Sequence, residues 1–533
     1  MICKIIPSLI FFLSFFSSFS QTWEKSFSAG DFDINGNFLG GSEIMNLVSH
    51  KNKVYASVGY WQDASNIWYG GNNPSNGWGQ IICLEGQNLS WKEDFNLGAS
   101  FLRPEVLKQV IFTKDSFGNT LAVPDTVLIT AGYSPNYLTS QVSAKAFVKN
   151  DNSASWEESL IFQGPLPSGE SYSIRDLLVY TDPVTGVEKI FLTVGTHGVF
   201  VGTYKASLFG KIQWSQIPEL GQLSVRSLGM TIANGELYLS SGNKIYKRNN
   251  GFSPTYSICH DFADLSANIN SAVGGVRGLT TVANPNGTNE SLLLMWCPNG
   301  QSKGIVYRLD PTVSSSFNRV YEVKIAALME NYLPGINVDY LLGAYNEFYL
   351  YENPISNESY HILGFESLVT GQCPIWNSYY RGAMFAKRDA NLNYTLEEVN
   401  GAIGGNDSPL VATRCYVKSP FEEAVYFGGF DPNSNISTNN AWIFKRTMNN
   451  LNLNESLEFT NEIKIYPNPA RDYLIIQNES ANEHSFKIVS ALGKIMLQGN
   501  LPQGSKTIDL SKFSANVYFI QTPYNSIKFV KTN

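Results

Sequence analysis

Histidine is scarce in this sequence, with five in 533 residues, and charged residues make up only 16% of it. The net charge is −7, so a broad nucleic-acid surface is not expected. Past the N-terminus no run of 18 apolar residues occurs, so no membrane span is expected in the mature chain. The six cysteines are far apart and include no Cys-x-x-Cys pair, which argues against a zinc site or a disulfide framework. A phosphate-binding glycine loop, a nucleophile elbow and a His-Glu-x-x-His helix are all missing, which removes the commonest nucleotide, serine-hydrolase and metalloprotease readings. Aromatics are plentiful, at 13%, and there are 44 glycines. That mix suits many short strands joined by tight turns.

The first residues read as a signal peptide, residues 1–20. Lys4 supplies the positive charge, Ile5 to Phe16 the apolar run, and Ser18 and Ser20 the small residues before a cut at Gln21. Cys3 leaves with this segment. Export of the remainder follows as an expectation.

Residues 21–446 carry a repeat. Arg226 opens a strand, an Asn-Gly turn and a second strand, with Tyr238 twelve residues on. The same interval separates Glu43 from Tyr55, Asn337 from Tyr349 and Arg414 from Tyr426. Arg175 and Arg277 open versions with longer turns, and Lys108 opens a longer version still. A third strand usually follows, as at Lys244-Ile-Tyr-Lys247 and Trp442-Ile-Phe-Lys445. Seven units of 51 to 77 residues predict an all-β, seven-bladed β-propeller, with two packed sandwiches as the competing arrangement. The Tyr426-Phe-Gly-Gly stretch faintly resembles a kelch repeat.

In a propeller, the loops leading into the first strands and the loops joining second and third strands share one face. That face should therefore gather Lys108, Arg175, Arg226, Arg277 and Arg414 around the channel mouth, as candidate ligands for an anion. It should also gather Tyr60, Trp61, Trp68 and Tyr69 from unit 1, Tyr133 from unit 2 and His197 from unit 3. Tyrosine and tryptophan there suit sugar faces, and a histidine there suits a general base. The alternative is that these arginines pair between blades, the aromatics pack on themselves and His197 is structural. Asp31-Phe-Asp33-Ile-Asn35-Gly36 begins like a calcium loop but lacks Glu at its twelfth position, so it reads first as a side-chain-stabilised turn, with structural calcium the one metal or cofactor considered.

A polar linker, residues 447–460, precedes a small β-sandwich, residues 461–533, with strands at Ile463–Tyr466, Tyr473–Ile476, Phe486–Val489, Ile495–Leu497, Thr507–Leu510, Val517–Ile520 and Ile527–Lys531. Its Tyr-Pro-Asn-Pro-Ala run at Tyr466–Ala470, its Leu492-Gly493-Lys494 turn, its Ile508-Asp-Leu-Ser stretch and its terminal Ile527-Lys-Phe-Val-Lys resemble the C-terminal sorting domain of the type IX (Por) secretion system of Bacteroidetes. Asn516 stands where that family usually has Gly. The resemblance implies outer-membrane export to the cell surface or medium, removal of the tail and the secretion machinery as a partner. Together with the cationic mouth, the chain looks like propeller-type ulvan lyases, although no family motif aligns residue by residue.

The leading expectation is thus a monomeric polysaccharide lyase acting by β-elimination on an acidic polysaccharide. Arg175, Arg226 and Arg277 would clamp the uronate, His197 would act as base, and Tyr60 or Tyr133 as acid. Lys108, Arg414 and Trp61 would also bind substrate. A non-catalytic propeller that binds glycan or protein stands beside it. A glycoside hydrolase, needing two carboxylates such as Glu43 and Asp63, comes third.

Overall fold

The computed structural model describes residues 23–60, 78–98, 101–136, 139–165, 173–269, 274–299, 302–313, 316–343, 347–352, 358–370, 382–400, 412–430, 439–447, 463–478, 484–490, 494–521 and 526–532. The chain forms two compact units, Met1–Thr447 and Met448–Asn533.

The larger unit is a seven-bladed β-propeller. Blades 1 to 5 are antiparallel four-stranded sheets in chain order, and their first strands are Glu43–His50, Pro104–Lys114, Ile174–Thr181, Ser227–Ala233 and Gly275–Ala283. Blade 6 starts at Val338–Gly343 and blade 7 at Ala412–Lys418. Blade 7 has three strands of its own, and its fourth is the N-terminal strand Glu24–Ser28, antiparallel to Trp442–Thr447. The two ends of the unit therefore close the ring.

Alternation along the strands builds the cores. Residues facing one side of a blade pack against residues from the next blade. Ile129, Ala146 and Val148 of blade 2 meet Leu177, Leu192 and Phe200 of blade 3 in one buried cluster. Ile44 and Val58 of blade 1 meet Cys415, Tyr426 and Ile443 of blade 7 in another. The first glycine of Tyr426-Phe-Gly-Gly serves this closure, and the second makes room within blade 7. A Cβ on Gly428 would lie 2.7 Å from Ile44 and 2.8 Å from the Cys415 sulfur, and one on Gly429 would lie 1.9 Å from the Ala412 carbonyl.

Two expectations need correction. The first strand of blade 2 begins at Pro104, not at Lys108. Its hairpin is longer than the others, so counting back the usual interval from its second strand stops short of the true start. In blade 6, Tyr349 does not open the second strand. Val338–Gly343 and Tyr349–Glu352 both pair with the same partner, Ser359–Val369, so the inner strand is interrupted and then resumes. The interruption mimics a turn by its length alone.

The smaller unit packs a three-stranded sheet (Ile463–Tyr466, Tyr473–Asn478, Gly504–Asp509) with a four-stranded one (Ile495–Leu501, His484–Ser490, Asn516–Gln521, Ser526–Lys531). Leu474, Ile476, Ile488, Ile508, Tyr518, Ile520 and Phe529 fill the core of this sandwich.

Candidate functional site

Each of the seven inner strands carries a register shift near its start, between Ile44 and Asn46, Pro104 and Val106, Ile174 and Leu177, Ser227 and Gly229, Arg277 and Thr280, Val338 and Tyr340, and Thr413 and Cys415. A bulge re-aims side chains that plain alternation would send between blades. Glu105, Arg175 and Arg414 sit in these bulges, Arg277 borders one, and Arg226 immediately precedes its strand.

The result is a buried charged cluster. Arg175, Arg226, Arg277 and Arg414 are 2–8% exposed. Arg414 is paired with Glu43. Arg103, from the loop before blade 2, lies 3.7 Å from Glu43 and 3.1 Å from Glu105. Arg175 Nε and Arg226 Nη1 both donate to the hydroxyl of Ser173, at 3.0 and 2.7 Å. Arg277 Nε donates to the Gly343 carbonyl at 2.9 Å. Arg103 and Arg414 thus meet Glu43 and Glu105, Arg175 and Arg226 meet at Ser173, and Glu366 is buried on the second strand of blade 6.

The electrostatics separate this cluster from an ordinary buried ion pair. Arg248, outside the channel, donates to Glu219 at 2.6 Å and to Asp182 at 2.7 Å. Burial works against its charge, but those two carboxylates outweigh it and raise its pKa. Arg226 goes the other way. Burial, followed by repulsion from Arg175, Arg277 and Arg103, depresses it well below the usual guanidinium value. Arg175 is depressed by burial and by Arg103. Burial pushes Glu105 up, against the pull of Arg103 and Arg175.

Lys108 lies elsewhere. Its ammonium is 2.7 Å from Asp176 of blade 3 and 3.9 Å from Glu347, which follows the interruption in blade 6. Burial would lower its pKa, but those carboxylates raise it. The Phe348 N–H donates to the Thr280 hydroxyl at 2.9 Å. Blades 2, 3, 5 and 6 therefore meet across the channel beyond the arginines.

His197 ends a short 3₁₀ turn, Gly195–His197, between the second and third strands of blade 3. Its ring packs 4.6 Å from Phe162 and 6.5 Å from Tyr133, and burial lowers its pKa. The turn connects to the arginine pair through Ser173, whose carbonyl accepts the Gly195 N–H at 2.8 Å. Tyr133 itself is buried in the core between blades 2 and 3. Tyr60 is buried with its hydroxyl against Gly40, so it is not brought to His197. Trp61, Asp63, Trp68 and Tyr69 lie outside the described residues.

The run at Asp33 is a hairpin tip. The Asp33 carboxylate accepts the Asn35 and Asn37 backbone N–H groups, each at 2.8 Å, and the Asn37 side chain at 3.2 Å. Asp115 and Asp389 repeat this arrangement with Asn119 and Asn393. Cys83, Cys259, Cys297 and Cys415 are free thiols, and Cys373 lies outside the described residues.

Sequence reasoning missed Arg103 and Glu105. The signal was present. A charged residue stands two before Leu or Met at Glu43-x-Met45, Arg175-x-Leu177, Arg226-x-Leu228 and Arg277-x-Leu279, and Glu105-x-Leu107 fits the same pattern.

Fold and tail define an exported β-propeller. Residues 464–532 match the secretion system C-terminal sorting domain family, which places the protein at the cell surface or in the medium. No curated protein sequence matches the chain. Among solved structures, the chain is similar to PorZ, a surface component of the type-IX secretion system of Porphyromonas gingivalis, at 10% identity and a TM-score of 0.29, covering 92% of this chain and 82% of that one. It is similar to a Penicillium chrysogenum alpha-L-arabinanase at 10% identity and a TM-score of 0.35, covering 80% and 98%. It is also similar to a Fusarium graminearum alpha-L-arabinofuranosidase at 10% identity and a TM-score of 0.34, covering 65% and 92%. Likeness this distant carries nothing about what this chain acts on.

Proposed function

We propose that the mature protein is a monomeric surface or secreted propeller that engages an acidic extracellular polysaccharide through its channel arginines. One observation carries this reading: Arg103, Arg175, Arg226, Arg277 and Arg414 are brought together from different blades, close enough that their mutual repulsion depresses Arg175 and Arg226. Buried like charges cost stability unless a counter-charge compensates them. A carboxylate or sulfate ester matches the planar guanidinium fork.

Affinity electrophoresis of the mature chain against uronic-acid, sulfated and neutral polysaccharides tests this. Retardation by acidic chains alone is expected, weakened by added salt and about tenfold or more by Arg226→Ala, a loss of roughly 1.4 kcal/mol. Equal retardation by neutral chains would refute it.

β-Elimination is the second reading. It is favoured by the contact between Tyr133 and His197 and by burial that keeps the imidazole in its neutral, proton-accepting form. A rise in absorbance at about 235 nm with a uronic-acid polymer, lost in His197→Ala, supports catalysis, since elimination leaves an unsaturated uronate. Binding without that rise leaves the propeller a lectin.

A further inference from the structure

The face opposite the arginine mouth carries apolar side chains at the tips of its turns. The inner strands begin at the charged cluster and the blades are antiparallel, so the turns joining first to second and third to fourth strands lie at the far end. Phe117 tips the inner hairpin of blade 2 and Val184 that of blade 3, while Phe209 and Phe252 tip the outer hairpins of blades 3 and 4. Phe117 is 84% exposed, Phe252 88%, Phe209 66% and Val184 63%.

These turns are neighbours. Lys114 Nζ, at the base of the Phe117 turn, donates to the Gly186 carbonyl in the Val184 turn at 2.6 Å. The Gly251 N–H, beside Phe252, donates to Asp182 of that same turn at 2.9 Å. Lys211, at the end of the Phe209 turn, lies 2.7 Å from Asp125 on the second strand of blade 2. The carboxylates among them are engaged within the face. Asp115 accepts the Phe117 and Asn119 N–H groups, each at 2.9 Å, and Asp182 pairs with Arg248 at 2.7 Å. What the turn tips present is therefore chiefly apolar, and exposed apolar clusters mark contacts with proteins or membranes.

Two observations choose between these. The tips are convex apices of separate turns. A bilayer's headgroup–acyl boundary admits apolar side chains without a matching shape, whereas a second copy related by a two-fold axis would set apex against apex. The chain also leaves the propeller on this face. Trp442–Thr447 is a third strand, so it runs away from the arginine end, and the export tail follows Thr447. A chain held at the cell surface through its C-terminal part would turn this face to the membrane and the arginine mouth to the medium.

We propose that this face docks on a lipid surface, with Phe117, Val184, Phe209 and Phe252 inserted at the headgroup–acyl boundary. The inference is independent of the polysaccharide reading.

Co-sedimentation of the full mature chain with vesicles of dioleoylphosphatidylcholine tests it, with vesicles that also contain phosphatidylglycerol beside them. Binding to the zwitterionic vesicles is expected, little changed by added salt and weakened about tenfold or more in the double variant Phe117→Ser, Phe252→Ser. Both side chains are exposed, so the variant should fold and keep the parent's melting midpoint. No binding to either vesicle, equal binding by the double variant, or binding only where phosphatidylglycerol is present would overturn the proposal. So would a dimer of the parent chain in sedimentation velocity that the double variant dissolves, because the face would then belong to a second copy.

Discussion

His361 shows how a single buried side chain sets a pH limit on this fold. It lies on the second strand of blade 6, paired in register with Leu350 on one side and Arg388 on the other. Burial strips water from the imidazolium and Arg388 repels it, while Glu322 opposes the effect only in part, leaving a pKa of about 4. The unfolded chain binds that proton near pH 6.5. Between these values the unfolded state holds a proton the folded state refuses, so stability is full above about pH 6.5 and falls as pH drops toward about 4. From pH 7 to pH 5 the loss should be about 2 kcal/mol from this residue. Urea unfolding at the two pH values should show a smaller difference in His361→Gln than in the parent chain. His197 and His260 are depressed in the same direction, so a residual slope should survive in the variant. An unchanged slope would place the sensitivity in those residues instead.

At the scale of strands, the repeat was legible because turn chemistry and alternation recur in every blade. Arg175, Arg226, Arg277 and Arg414 were placed at the channel by spacing alone. Glu105 was not, because the long hairpin of blade 2 broke the count. The interruption in blade 6 was not either, because a strand that leaves and rejoins its own edge has the same apolar pattern as a hairpin. The N-terminal strand was unreadable for a different reason. Glu24–Ser28 is five residues long, and its partner lies more than 400 residues later, so no local pattern announces the pairing.

That strand is held firmly. Phe27 is buried in the cluster between blades 7 and 1. Trp23 donates to Glu397 at 3.2 Å, lies 5.0 Å below the Arg446 guanidinium, and meets Phe385 and Phe427 edge-on at 6.0 and 6.1 Å. Removing Trp23–Ser28 would expose the edge of Trp442–Thr447, and an open edge pairs with other chains. The truncated protein should melt several degrees lower and show oligomers on size exclusion. Trp23→Ala alone should cost about 2–4 kcal/mol, short of full Trp burial because the ring is only half-buried. A deletion that stays monomeric with an unchanged midpoint would mean that the core between blades 7 and 1 closes the ring unaided.

Over the whole molecule, each unit completes its own core. The propeller's last strand ends at Thr447 and the fourth strand of blade 7 is Glu24–Ser28, so among the described residues none of its sheets borrows from beyond that point. The seven described strands of the tail likewise pair only with one another. A tail that directs export has to leave its cargo free to fold, and this strand pairing meets that requirement. Scanning calorimetry of the full mature chain should therefore resolve two transitions, and the smaller one should vanish in a chain ending at Thr447. The larger transition should keep its midpoint within about 1 °C, and retardation by acidic polysaccharides should be unchanged. If the large transition instead shifts downward when the tail is removed, the sandwich supports the propeller, and its role extends from addressing the protein to holding it together.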